Sequence, residues 1–284
     1  MENLKKLIFN NANIVTDENI AIDDNTDLIK DLGYDSIAMV RLIIDIENTY
    51  DIEIDEFSVL EKYGSLRSYL NNYIKFKKFY KDYVVGQSIS KGDMYDINIS
   101  EYRDIPVNKS YIYSMILSNY YEKMVISCSK EMISDVQKMM EIGERNGACF
   151  EDYFYMFSEK GFHTRIMKRM IHGGQYHSCC KRIDGFDYRY IPEVMKYVAQ
   201  KDGIIVSYCK VSDIISDVGN IVIYTEEEYR NRGLAQYLLS LLIEKCIEIN
   251  ICPMYFVDSK NIISLSIAEK LGFYNLCEEI VITK

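Results

Sequence analysis

Apolar positions recur at helical spacing through the first quarter of the chain. Leu66, Tyr69, Leu70, Tyr73 and Ile74 follow i, i+3, i+4, i+7 and i+8, which marks one face of an amphipathic helix. Ile37–Tyr50 places Ile37, Val40 and Ile44 on one stripe with Met39, Ile43 and Ile46 beside it, and turns Asp45 and Glu47 outward. Leu4, Leu7 and Ile8, with the stretch Asn11–Ile14, suggest a further helix. Residues 1–76 therefore read as an all-α bundle of three or four helices, joined by the acidic loops Asp17–Asp27 and Asp51–Glu56.

The last third changes period. Ile204–Val211 and Val218–Tyr224 are short β-branched runs, and Ser212–Asp217 between them predicts an antiparallel hairpin. After Arg230-Asn231-Arg232-Gly233-Leu234-Ala235, a helical stripe runs through Leu238, Leu239, Leu242, Ile243, Cys246 and Ile249. Ile251–Val257 is another strand, Asn261–Leu271 a helix closed by Gly272-Phe273, and Glu279–Thr283 a final strand. This order describes an α/β half-domain with a mixed central sheet over residues 203–284. The small-residue loop at 230–235 opens a helix, so its unpaired N–H groups suit phosphate oxygens.

Between these regions the pattern says less. Residues 77–100 lose periodicity after Tyr80 and read as a linker, whose flexible reach would be about 25–30 Å. Met132–Ile142 has helical spacing, Phe150–Met156 is rich in aromatic side chains, and Pro192–Val198 looks like one more helix. Residues 101–180 are then either an extension of a domain covering 101–284 or a small extra subdomain.

A length of 284 residues with 48% hydrophobic and 27% charged side chains fits a globular chain of more than one domain. No apolar run approaches the ~20 residues of a membrane span, and Met1–Asn10 lacks a secretory core, so the expected address is cytoplasmic. Residues 1–76 hold 7 Lys and Arg against 15 Asp and Glu, which places most of the net −10 in the first quarter. Such a module repels nucleic acid and anionic lipid and suits basic patches on partner proteins. The eight cysteines follow no repeating interval and read as free thiols. His163, His172 and His177 lie close to Cys179 and Cys180, but the spacing matches no paired zinc pattern; a loop around Gly173-Gly174 near an acceptor pocket, with a histidine as base, is the alternative.

Asp31-Leu32-Gly33-Tyr34-Asp35-Ser36-Ile37 precedes the helix Ala38–Tyr50, with Ser36 at the expected N-cap. Together with Asp51-Ile52-Glu53-Ile54, this segment resembles acyl carrier proteins and peptidyl carrier domains over residues 3–75. The resemblance implies a 4′-phosphopantetheine arm on Ser36, and a phosphopantetheinyl transferase recruited with the help of Asp35. Tyr34 and Ile37 stand where leucines are common in that family.

Near the C-terminus, Tyr229-Arg230-x-x-Gly-x-Ala, Asn261…Ser264 and Glu269-Lys270-Leu271-Gly272-Phe273 resemble the GNAT superfamily of acyl-CoA-dependent N-acyltransferases. The resemblance implies that the N–H groups of Asn231, Arg232, Gly233, Leu234 and Ala235 cradle the coenzyme A pyrophosphate, with Arg230 and Arg232 adding charge. It further implies that the strand before the loop splays from its neighbour, so that Val222 binds pantetheine and Ile221 and Ile223 polarise the thioester carbonyl. Such donors are worth about 2.7–4 kcal/mol each. Asn261 would contact the pantetheine arm. The tyrosine that commonly protonates the leaving thiolate is replaced by Ala268, as in some branches of the superfamily; Tyr274 is the candidate general acid, with Tyr224 and Tyr208 nearby and core packing as its alternative role.

The combined expectation is a carrier fused to an acyltransferase that moves an acyl group from acetyl-CoA or another acyl-CoA to an amine, free or held on the arm. In a variant the arm itself is the donor. Two alternatives stay open: a GNAT-like scaffold without chemistry that docks assembly-line enzymes, and loading of an acyl group onto the carrier thiol.

Overall fold

A computed structural model describes residues 2–13, 21–52, 54, 62–92, 94–107, 112–120, 123–174 and 180–283. The chain divides into two compact units, Met1–Ile74 with His172–Tyr176, and Lys75–Ile171 with His177–Lys284.

The first unit is helical. It holds α1 (Glu2–Asn11), α2 (Ser36–Tyr50) and the first turns of α3 (Tyr63–Phe79). Leu4 and Ile8 of α1 are buried together with Ala38, Leu42, Ile43 and Ile46 of α2 and Leu66, Tyr69 and Leu70 of α3. Two polar ties lock α1 in place: the Tyr34 hydroxyl donates to the Ile8 carbonyl, and Asn11 Nδ2 donates to Asp45 Oδ2 at 2.8 Å. The stripe Ile37, Val40 and Ile44, expected inside, is exposed; the buried face lies one residue further round, on Ala38, Leu42, Ile43 and Ile46. With apolar residues on both sides of the helix, periodicity could not say which stripe faces the core. The expected fourth helix of the bundle is not among the described residues, and large parts of both acidic loops lie outside them.

The second unit is built on one mixed sheet of eleven strands. Their ranges are β1 Gln87–Lys91, β2 Tyr95–Ile99, β3 Tyr113–Ser118, β4 Met124–Cys128, β5 His163–His172, β6 Asp187–Ile191, β7 Lys196–Lys201, β8 Ile204–Ile215, β9 Val218–Thr225, β10 Cys252–Asp258 and β11 Phe273–Thr283. The spatial order is β1-β2-β4-β3-β11-β5-β10-β9-β8-β7-β6. Pairing is parallel for β2–β4 and β9–β10. Helices α4 (Ile133–Asn146) and α5 (Phe150–Glu159) bury Val136, Met140, Tyr153 and Phe157 against Ile126, Leu117 and Ile280 of the sheet. Further along, α6 (Leu234–Glu248) packs on β7–β10, and α7 (Ile262–Lys270) on β10 and β11.

Several expectations are corrected here. Residues 77–100 are not a flexible linker: they complete α3, form a π-helical turn at Tyr80–Val85 and supply β1 and β2. Phe76, Phe79, Tyr80 and Val84 are buried at helical spacing, so the apolar signal persists beyond Tyr80, and the flexible-chain reach does not apply. Residues 101–180 form no separate subdomain, since β3, β4 and β5 belong to the same sheet as β8–β11. Pro192–Val198 is not a helix. A single 3-10 turn, Pro192–Val194, ends at Met195 with φ +42°, and β7 follows. The hairpin turn is only Ser216-Asp217, both at positive φ as a two-residue turn requires.

Between β5 and β11 lies a fully buried ion pair. Arg169 donates from Nε and Nη2 to the two carboxylate oxygens of Glu279 at 2.8 and 2.5 Å. The Arg169 guanidinium also lies 4.0 Å from the Phe256 ring centroid. Glu279→Gln is expected to leave a buried cation uncompensated and lower stability by about 3–5 kcal/mol, while replacing both partners with methionine restores most of it. Denaturant titration of the three proteins checks this.

Candidate functional site

In the first unit the segment before α2 is arranged around Asp35, not Ser36. Asp35 is the N-cap, extended at φ −94° and ψ 179°, and its Oδ1 accepts from the Ala38 N–H at 2.8 Å. That bond, opposed in part by desolvation, holds the Asp35 carboxyl below the usual range. Ser36 is therefore the first helical residue. Its side chain is exposed, and among the described residues no group bonds its hydroxyl. A capping serine would have spent that oxygen on a backbone N–H; here the aspartate does so and leaves the serine free. The hydroxyl stands at the N-terminal end of a fifteen-residue helix, where a phosphate is favoured. These residues fit a phosphodiester-linked arm.

In the second unit the site is set by how β9 and β10 part. Their pairing covers only Val218–Cys252, Gly219–Pro253 and Asn220–Met254. Beyond that, β9 follows β8 to Thr225, and β10 follows β5 to Asp258. Beyond this stretch β9 keeps one strand neighbour; the parity set by the Cys252 N–H to Asp217 carbonyl bond leaves Ile221 at the last rung, beside Met254, turns the Val222 N–H toward β8, and points the N–H groups of Ile223 and Thr225 into a gap on the β10 side. Two cavities flank this gap. One, of about 700 Å³, reaches Ile221–Ile223, Asp213, Asn220, Met254–Asp258 and Arg169. The other, about 800 Å³, reaches Ile223–Thr225, Arg230, Asn231, Gly233–Gln236 and the start of α7. Ile223, Tyr255, Asn261 and Ser264 border both.

The 230–235 loop borders the second cavity at every position but one. Gly233 at φ +83° is the N-cap of α6, without any side-chain cap, and the first helical bond runs from the Tyr237 N–H to the Gly233 carbonyl. The N–H groups of Leu234, Ala235 and Gln236 are left for an anion. Asn231 also sits at positive φ, 61°. Arg230 borders the cavity and donates Nε to the Thr225 carbonyl at 3.2 Å. Arg232 does not border it. Its guanidinium lies over the Tyr229 ring and bonds the Glu228 carbonyl. Asn261 caps α7, its Oδ1 accepting from the Ser264 N–H at 3.1 Å, and it borders both cavities.

Tyr274 is misplaced for the role expected of it. It borders neither cavity and packs against the core around Val281 and Met254. The phenol at the gap is Tyr255 of β10, almost fully buried, whose pKa is raised by desolvation and lowered somewhat by a hydrogen bond with Ser264. A chain with 25 tyrosines gave no means of choosing it; the signal available was its position in the strand that follows α6. Asp213 and Asp258, also missed, border the first cavity. Asp213 stands in a break of register between Val211 and Ile214, the kind of bulge that re-aims a side chain. Among the described residues His172 is buried and His163 is exposed at the start of β5, and neither they nor Gly173-Gly174 border either of these two cavities. His177 and Cys179 lie outside the described residues. No group of three His, Cys, Asp or Glu side chains among the described residues is placed to hold a metal ion.

Gly233→Ala is expected to strain the loop, since a side chain disfavours φ +83°, and to lower stability by about 1–3 kcal/mol. Thermal unfolding measures it.

Comparison with known proteins agrees with this division. Residues 12–71 match the phosphopantetheine attachment site family, and residues 188–280 match the GNAT acetyltransferase family. Among solved structures, a GNAT-family acetyltransferase from Novosphingobium aromaticivorans is similar at 18% identity, over 43% of this chain and 65% of that one, with a TM-score of 0.37. A GCN5-related N-acetyltransferase from Sphaerobacter thermophilus is similar at 14% identity, over 46% of this chain and 55% of that one, with a TM-score of 0.39. The chain thus spans about two thirds or less of the length of these structures. No curated protein matches the sequence. Residues 12–71 are thus similar to phosphopantetheine attachment sites and residues 188–280 to GNAT acetyltransferases.

Proposed function

We propose that the protein is an acyl-CoA-dependent N-acyltransferase that also carries a 4′-phosphopantetheine arm on Ser36, attached by a phosphopantetheinyl transferase. The observation that carries the reading is the early end of β9–β10 pairing between two cavities, with a loop of orphan N–H groups at the far side of one of them. A pantetheine chain can enter along the gap as an added strand, its thioester presented to the main-chain N–H group of Ile223. The pyrophosphate of coenzyme A then meets Arg230, Asn231 and the N–H groups of Leu234, Ala235 and Gln236. When attached to Ser36, the arm supplies a thiol on which an acyl group can be held.

The acceptor amine enters from the first cavity. Asp213 and Asp258 take its proton, the amine nitrogen forms the new bond to the acyl carbon, and the carbon–sulfur bond breaks. The main-chain N–H groups at the gap hold the developing oxyanion. Tyr255 takes the role expected of Tyr274: burial keeps its phenol protonated at neutral pH, and it donates to the leaving sulfur.

The test is intact-mass spectrometry of the Ser36-modified protein with acetyl-CoA and an amine panel, followed by release of free thiol. Turnover of acetyl-CoA with acylated amine is expected, and Tyr255→Phe should lower kcat by about 10²-fold with coenzyme A affinity unchanged. Ser36→Ala should lose only the arm mass. An acyl mass that accumulates on the arm would instead support loading of the carrier, and no acetyl-CoA consumption with any acceptor would leave a scaffold.

A further inference from the structure

The cavity on the acceptor side has an unusual charge arrangement. Arg169 borders it and is neutralised by Glu279. Beside Arg169, without bordering the cavity itself, lies a second buried guanidinium, Arg103, in the 3-10 turn Glu101–Arg103, with no exposed surface. Arg103 Nη2 donates to the Tyr83 carbonyl at 3.1 Å, which the π-helical turn leaves open and which Ser100 also bonds. Its Nε and Nη1 have no partner. The Tyr83 ring, which borders the cavity, lies 4.5 Å from the Arg103 guanidinium and 5.8 Å from that of Arg169. Among the described residues Glu279 is the one carboxylate bonded to either guanidinium. The cluster therefore holds two buried cations and one anion. A buried charge without a counter-ion is costly, and several kcal/mol per ion is the ordinary scale. An anion in the cavity beside Tyr83 would offset it.

The opposite wall has the reverse chemistry. Asn220, the last β9 residue in register with β10, has a buried Oδ1 without a partner, while its Nδ2 is held by Ser212 Oγ at 3.2 Å. Asp213 and Asp258 border the same space, with Arg165 at its exposed rim. Arg169 pairs across to Phe256 on β10, and Asn220 pairs to Met254 from the other side. The cationic and acceptor-rich walls thus stand two strand spacings apart, about 10 Å before side chains reach inward. Aromatic and aliphatic residues, among them Phe79, Tyr102, Val107 and Phe256, line the space between.

We propose that this cavity binds a free ω-amino acid: an amine held at Asn220, Asp213 and Asp258, a hydrophobic chain, and an unesterified carboxylate at the other end held by the field of Arg103 and Arg169. The inference rests on the acyltransferase reading and deepens it. A carboxyl group joined to the carrier thiol is an uncharged thioester and cannot offset the buried cation. The acceptor is therefore the free acid and not an amino-acyl group on Ser36.

Binding and turnover are measured separately on the full, phosphopantetheinylated protein. Calorimetry without any acyl donor uses 6-aminohexanoate, 8-aminooctanoate and 4-(aminomethyl)benzoate, each against its methyl ester, with phosphopantetheine as a second source of an anion. At least one acid is expected to bind at least about tenfold more tightly than its ester. Arg103→Met should remove that preference while the protein unfolds no earlier than the parent, because a buried uncompensated charge has been deleted. If the variant does not fold, the acid-to-ester ratio of the parent still decides. Equal binding of acid and ester, binding of none of the acids, or binding of phosphopantetheine in their place overturns the proposal. Acid-selective binding without transfer from acetyl-CoA keeps the site and overturns the acyltransferase reading.

Discussion

The second unit depends on a pairing that stops. β9 and β10 share three residue pairs and then leave each other, each staying with its outer neighbour. A sheet interior ordinarily satisfies every main-chain N–H and C=O, and groups left open there need a partner. The parting converts a stretch of ladder into a slot with the chemistry of an added strand. Everything in the candidate transfer site is referred to that slot: Tyr255 and Asn261 border it, the two cavities flank it, and the α6 N-terminus stands at the outer end of one of them.

Holding such a slot open requires firm walls. On one side, Leu238, Leu239, Leu242 and Ile243 of α6 are buried against the β7–β9 leaf. On the other, the Arg169–Glu279 pair ties β5 to β11, and Phe256 covers the guanidinium from β10. The same pair places charge beside the acceptor cavity, so one contact serves both packing and recognition. In the helical unit the division of labour is simpler: Asp35 takes the capping bond, and Ser36 is left with an exposed hydroxyl.

Much of this was legible in the chain. The α6 stripe, the Arg-x-x-Gly-x-Ala loop and the strand on either side of it follow from period and punctuation. So does the helix after Ser36, although its exact cap did not: Asp35 and Ser36 are both good caps, and only φ, ψ and the bond to Ala38 distinguish them. The long sheet was hidden because β3 and β4 are buried on both faces and show no alternation. Ile37, Val40 and Ile44 misled because α2 is apolar on more than one side. Tyr274 misled for a different reason: closeness to a motif in sequence says nothing about the sheet face a side chain takes, and in β11 that face meets another core. Arg103, Arg169 and Glu279 could not be linked at all, since residues that distant in sequence become neighbours only through the sheet order.

Hydrogen–deuterium exchange of the full protein, with and without coenzyme A, tests the central claim most directly. The slot account predicts new protection in residues 221–225 and 231–236 together, because one ligand would occupy both sets of open N–H groups. Protection of the loop alone, with 221–225 exchanging as before, would contradict it.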